Sequence, residues 1–164
     1  MHRRLAAAMT LGLLTAACST ASTAPSTAAP DVTIRPDAVT ARAERHGTMY
    51  RSPLCTCCHE YEAILREHGW TVDVVEIEDT AAFKTDKGIP GDAWSCHTLV
   101  VDGYVVEGHV PLAAVDRLLE RRPAIDGIAL PGMPPGSPGM DGVAAGPFEV
   151  LAVQAGSLAP FGSF

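Results

Sequence analysis

The chain has 164 residues, 47% of them hydrophobic and 5% aromatic, and carries 12 basic against 19 acidic side chains for a formal net charge of −7. That balance argues against nucleic acid and anionic lipid as partners and suits a protein that attracts cations. Five cysteines in so short a chain ask for pairing, metal ligation or lipidation.

The basic start Met1–Arg4 and the apolar run Leu5–Leu14 lead to Thr15-Ala16-Ala17, small residues immediately before Cys18. This reads as a secretory signal too short to span a membrane, and it resembles a bacterial lipoprotein signal whose Cys18 becomes the lipidated N-terminus. Thr15 fits that pattern less well than leucine, which leaves plain cleavage and an uncleaved anchor as alternatives. Removal of residues 1–17 leaves 10 basic and 19 acidic side chains, net −9. Residues 18–46, which open on the Ser/Thr/Ala/Pro-rich stretch Ser19–Pro30, lack large apolar periodicity and read as a flexible tether.

The folded unit is expected over residues 47–153. Thr48–Ser52 reads as a strand and Glu60–His68 as a helix stopped by Gly69, with Cys55–His59 at the turn between them. Thr71–Ile77 alternates and is β-branched, a second strand parallel to the first through a right-handed crossover. Thr80–Lys87 is a short helix, begun by Asp79 or Thr80. Thr98–Val101 and Tyr104–Glu107 flank Asp102-Gly103, the type I′ pair of a β-hairpin. Pro111 opens a helix whose Leu112, Val115, Leu118 and Leu119 share one face.

The order β-α-β-α-β-β-α is the minimal thioredoxin-like arrangement, an α/β (α+β) fold with a mixed four-stranded sheet and flanking helices. Leu130–Pro147 is a Gly/Pro-rich loop, Phe148–Val153 an optional extra edge strand, and residues 154–164 a loose tail.

Cys55-Thr56-Cys57-Cys58-His59 concentrates the chemistry. Backbone N–H groups and the positive end of the helix dipole gather at a helix start and favour thiolate over thiol. Cys55 and Cys58 have the spacing of a thioredoxin-like redox pair. Cys57 is one thiol more than that pair needs, and three soft donors suit Cu(I) or Zn(II). A disulfide staple with a spare buried cysteine is the plain alternative.

A third strand antiparallel to the first would start where the first ends, which brings Cys96 and His97 beside the cysteine turn. The hairpin returns His109 to the same edge, roughly 10 Å from the first strand. From there it can serve a neighbouring ligand or a larger cluster. Met133 and Met140 are further soft donors, or else apolar lids. His59 reads as an exposed helix residue or a ligand, His68 as a helix C-terminal residue, His46 as exposed, and Glu76, Glu78 and Asp79 as a solvated strand exit. Thioredoxin-like oxidoreductases carry a cis-proline before the third strand. Cys96-His97 holds that place here, and Pro90 lies six residues too early.

Tyr50-Arg51-Ser52-Pro53 before Cys55–Cys58, then Ser95–Thr98, Val101–Pro111 and Pro131–Met140, together resemble the CopG-like domain of bacterial copper-resistance loci. The resemblance spans about residues 47–153. It implies a thioredoxin-like fold, a periplasmic or cell-surface location and copper at the cysteines, without a settled enzymatic activity.

The combined expectation is a tethered copper-binding protein rather than an enzyme. Cys55, Cys57, Cys58 and Cys96 would supply thiolates, with His97 and His109 as auxiliary ligands. Copper would be held as Cu(I), singly or as a bridged multinuclear cluster, with zinc as the other occupant. Its partners would be copper ions and other envelope copper-handling proteins, and it would meet the membrane only through an N-terminal lipid anchor. The competing reading is a thiol–disulfide oxidoreductase using Cys55 and Cys58.

Overall fold

The computed structural model describes residues 45–164; the signal, Cys18 and nearly all of the tether lie outside the described residues. Strand β1 (Arg45–Arg51) runs into helix α1 (Thr56–Glu67), which returns the chain to β2 (Trp70–Glu76). Helix α2 (Thr80–Asp86) and a 3-10 turn (Gly91–Ala93) precede β3 (His97–Val101) and β4 (Tyr104–Glu107). Helix α3 (Leu112–Arg121) is followed by β5 (Gly127–Ala129), β6 (Glu149–Gln154) and β7 (Ser157–Ser163).

Two glycines punctuate the first half. Gly69, at φ 81°, takes the left-handed backbone that ends α1, and Gly103, at φ 86°, completes the β3–β4 turn with Asp102 at φ 49°. Asp79 caps α2 by accepting from the Ala82 N–H at 2.9 Å.

The sheet is mixed and seven-stranded, in the order β2-β1-β3-β4-β5-β6-β7. β1 and β2 are parallel, β3 is antiparallel to β1, and β4 pairs back on β3. The expected four-strand arrangement is therefore one half of a wider sheet. β5 is parallel to β4, and Phe148–Val153, expected at an edge, supplies β6 inside the sheet with β7 beyond it.

The residues read as a tail thus form a strand, tied at its end by reciprocal backbone bonds between Phe148 and Phe164 at 2.7 and 3.0 Å. Three residues are too few for β5 to show any alternation. Pro160 and Gly162 hide β7, although an edge strand tolerates both.

Helices α1 and α3 cover one sheet face, where Met49, Leu99, Val106 and Ile128 meet Tyr61, Leu65, Val115 and Leu118. Each of these eight side chains is fully buried. The opposite face packs Val105, Ala129 and Val153 against Ile89 and Ala93 of the α2 side. Strand alternation then decides the neighbours of each site residue: His97 shares the α1 face with Leu99, and Thr98 and Glu107 share the α2 face with Val105.

The Gly/Pro loop is tightly turned. Ser137 N–H and Oγ both donate to the Pro134 carbonyl, at 3.2 and 2.7 Å, and Met140 N–H donates to Ser137 O at 2.8 Å. Gly139, at φ 79°, lies so close to α1 that a Cβ there would come within 2.8 Å of the Tyr61 backbone nitrogen.

Candidate metal centre

The end of β1 and the start of α1 form one tight turn, closed by Cys55 N–H donating to Ser52 O at 3.1 Å. Cys55 is the N-cap of α1, in extended backbone, and Thr56 is the first helical residue. Cys58 therefore turns back toward the cap. Cys55 and Cys58 are joined by a disulfide with Cα atoms 5.4 Å apart, within the span such a bond requires. Cys57 and Cys96 are free. In this oxidised state two of the four expected thiolates are one disulfide, and metal ligation by Cys55 and Cys58 requires its reduction.

β3 delivers Cys96 to the same place. Cys57 Sγ is 3.5 Å from Cys55 Sγ and 3.7 Å from Cys96 Sγ. Cys96 Sγ lies 3.3 Å from His97 Nδ1 and 3.0 Å from His109 Nε2. Two donor sets result, Cys55/Cys57/Cys58/Cys96 and Cys96/His97/His109, each with its ligand atoms within 4.8 Å of one another. They share Cys96. His109 thus belongs to the second set, beside the cysteine turn.

The hydrogen bonds assign His109 a tautomer. Its Nδ1 is 2.7 Å from the Pro138 carbonyl oxygen, which can only accept, so Nδ1 carries the proton. The Nε2 lone pair is then directed at Cys96, the arrangement by which an outer carbonyl orients a metal-ligating histidine. His97 is fully buried and its Nε2 has no partner.

Burial holds His97 well below the usual imidazole pKa, helped by the positive character of His109, Lys84 and Arg51. Burial also lowers His109, against the opposing pull of the Pro138 carbonyl. Tyr61 packs its ring against both imidazoles, at centroid distances of 4.8 and 5.6 Å. Its hydroxyl donates to Val110 O at 2.8 Å, and burial pushes its ionisation up.

The Cys96 thiol is pushed up to about 12, first by burial and then by Cys57, with Ser95 and Lys84 acting the other way. A thiol so protonated is a slow nucleophile for disulfide exchange. A soft cation held there would displace that proton and supply the missing counter-charge.

Lys84 and Glu107 were not singled out by the sequence reading. Lys84 is 2% exposed and Glu107 0%, and they form a buried ion pair on the α2 face. Glu107 also accepts from Thr98 Oγ1 at 2.5 Å and from the Ser95 backbone N–H at 2.7 Å. The last bond anchors the residue before Cys96. Gly108, at φ 80°, lets the chain pass Ser95, whose hydroxyl donates to Gly132 O. An acid closing the apolar strand Tyr104–Glu107 was the available signal.

The remaining candidates scatter. Met140 lines a cavity with Cys57, whereas Met133 is 53% exposed and outside that lining. His59 is exposed, with Nδ1 3.3 Å from the Arg51 guanidinium, which also pairs with Glu76 at 3.1 Å. His46 is exposed and pairs with Asp73 at 2.9 Å, and His68 is exposed with Nδ1 2.8 Å from Ile64 O. No described helix is long and apolar enough to cross a membrane.

A mixed α+β protein with a thiol–imidazole cluster of soft-metal type is the class that fold and site define. A family model described as "Protein of unknown function, DUF411" matches residues 93–140, which include Cys96, His97, His109 and the Gly/Pro loop. The solved structure titled "Copper resistance protein copG- Form 2" is 35% identical, covering 74% of this chain and 98% of that one, with a TM-score of 0.67. Its "Form 1" is likewise 35% identical, covering 73% and 96%, with a TM-score of 0.66. No curated protein matches. The chain belongs to the family of the copper resistance protein CopG.

Proposed function

We propose that the protein binds copper in the cell envelope, holding Cu(I) through Cys57, Cys96 and the reduced Cys55/Cys58 pair with His109 and His97 in support. Its role would be copper sequestration, trafficking or resistance. The observation that carries this reading is the pair of donor sets meeting at Cys96, with four sulfurs in one and two imidazoles in the other. Thiolates select soft Cu(I) over hard cations, and zinc is the other ion that such a set accepts. The copper-resistance titles of the related structures support copper. The order β2-β1-β3-β4 supports a thioredoxin-like core extended by three strands.

Anaerobic competition of the reduced protein against a Cu(I) chelator, with intact-mass counting of bound ions, is the test. Cys57→Ser and Cys96→Ser are each expected to weaken Cu(I) retention on the order of tenfold, about 1.4 kcal/mol, with the fold intact. The second reading, a disulfide oxidoreductase, is favoured by the Cys55–Cys58 disulfide. It expects Cys57→Ser to be neutral or beneficial and wild type to reduce insulin briskly. Full copper affinity in both variants together with brisk reduction would replace the first reading by the second.

The leader is assigned to lipidation at Cys18, with the residues between it and β1 as the tether, the sheet from β1 to β7 with its helices as the metal-binding domain in place of the expected 47–153, and a periplasmic or outer-surface location. Cys18→Ala is expected to move the protein from the membrane to the soluble fraction. Identical fractionation of variant and wild type would remove the anchor.

A further inference from the structure

Beside the cysteine turn, the first turns of α1 and the segment Gly139–Asp141 enclose an open cavity of about 460 Å³. Of the four clustered cysteines, Cys57 is the one on its wall, and Cys58 is fully buried. Met140 lines the same cavity, as do the exposed acidic residues Glu60 and Asp141. This placement is enforced rather than incidental. Gly139 docks against the Tyr61 backbone where a side chain would clash, and the carbonyl of Pro138 next to it accepts a hydrogen bond from His109 Nδ1–H. The loop that orients His109 therefore also sets Met140 on the cavity wall that Cys57 shares.

We propose that this cavity is the port through which Cu(I) reaches the cluster, with Met140 as the first, transient donor and Cys57 as the thiol that takes the ion over. The proposal rests on the copper-binding reading and adds a route to it. A neutral thioether binds Cu(I) more weakly than a thiolate, so it suits capture and release rather than storage. Glu60 and Asp141 raise the local concentration of cations at the mouth. In the handover the Met140 sulfur–copper bond breaks as the Cys57 sulfur–copper bond forms. The Cys57 proton passes to a lining carboxylate or to water, copper remains Cu(I), and no electron moves. From Cys57 the sulfurs of Cys55 and Cys96 are 3.5 and 3.7 Å away, and that of Cys96 already faces His109 Nε2.

The test is a stopped-flow measurement of Cu(I) transfer from a short synthetic methionine-containing peptide to the reduced full chain, paired with equilibrium chelator competition. Met140→Leu is expected to slow loading about tenfold while equilibrium affinity stays within about twofold. Met133→Leu, off the cavity, is expected to load like wild type. Glu60→Gln with Asp141→Asn is expected to flatten the dependence of the loading rate on ionic strength, as loss of electrostatic steering requires. Unchanged loading by Met140→Leu in a protein that still binds Cu(I) would overturn the port alone. A fall in affinity as large as the fall in rate would also overturn it, by making Met140 a resident ligand. Failure of wild type to bind Cu(I) would remove the copper reading and the port together.

Discussion

Glu107→Ala is expected to cost about 3–5 kcal/mol of stability, the range for removing one partner of a buried ion pair. Lys84 would be left charged in a site where it is 2% exposed, with Thr98 Oγ1 at 3.4 Å as its remaining hydrogen-bond partner. Thr98 and the Ser95 N–H would lose their acceptor as well.

The double change Lys84→Met with Glu107→Leu separates the causes. It removes both charges and replaces them with apolar groups, so the buried-charge penalty vanishes and the cost should shrink to the unpaired Ser95 and Thr98 groups, about 1–3 kcal/mol each at most. Urea unfolding of the metal-free chain measures both variants. An alanine variant within about 1 kcal/mol of wild type would mean that the pair is hydrated and contributes little. The consequence for the cysteine–histidine cluster is positional: Glu107 holds Ser95, and Ser95 is bonded to Cys96.

The cysteine turn was legible because local signals agree there. A strand ends, a helix begins, and residues 55 and 58 fall three apart, so the N-cap side chain meets the third helical residue. A third strand antiparallel to the first then carried Cys96 and His97 to the same edge by strand counting alone, and the register Arg51↔His97 has them there. What escaped had a weak local signature or none. β5 has three residues, and β7 carries Pro160 in an edge position. The Lys84–Glu107 pair depends on how a seven-residue helix docks across the sheet, which no periodicity encodes. The loop 131–140 reads from composition as irregular chain. Its function in orienting His109 arises from a single carbonyl at Pro138, and carbonyls are invisible in a sequence.

The stability of the metal-free protein should be greatest between about pH 6.5 and 8.5 and fall on both sides. His97 and His109 are buried and both have pKa values below the ordinary imidazole value near 6.5. Above that value they are neutral whether the chain is folded or not, and no proton is exchanged on unfolding. As the pH drops below it, the unfolded chain takes up protons that the native site refuses, so stability falls with acid. Each fully linked histidine contributes a slope of about 1.4 kcal/mol per pH unit. The fall continues until the pH reaches the depressed native value.

Cys96 acts on the alkaline side with the opposite proton movement. Its native thiol is held up to about 12, whereas an unfolded cysteine ionises near 8.5. Between those values the unfolded chain releases a proton that the native chain keeps, and stability declines as the pH rises. Urea midpoints of the metal-free chain from pH 5 to 10 test both arms. His97→Leu should flatten the acid arm, and Cys96→Ala the alkaline arm. A wild-type midpoint that stays level from pH 7.5 to 5.5 would show that the two imidazoles protonate in the native state, and with that the neutral, preset Nε2 donor at His109 would be lost.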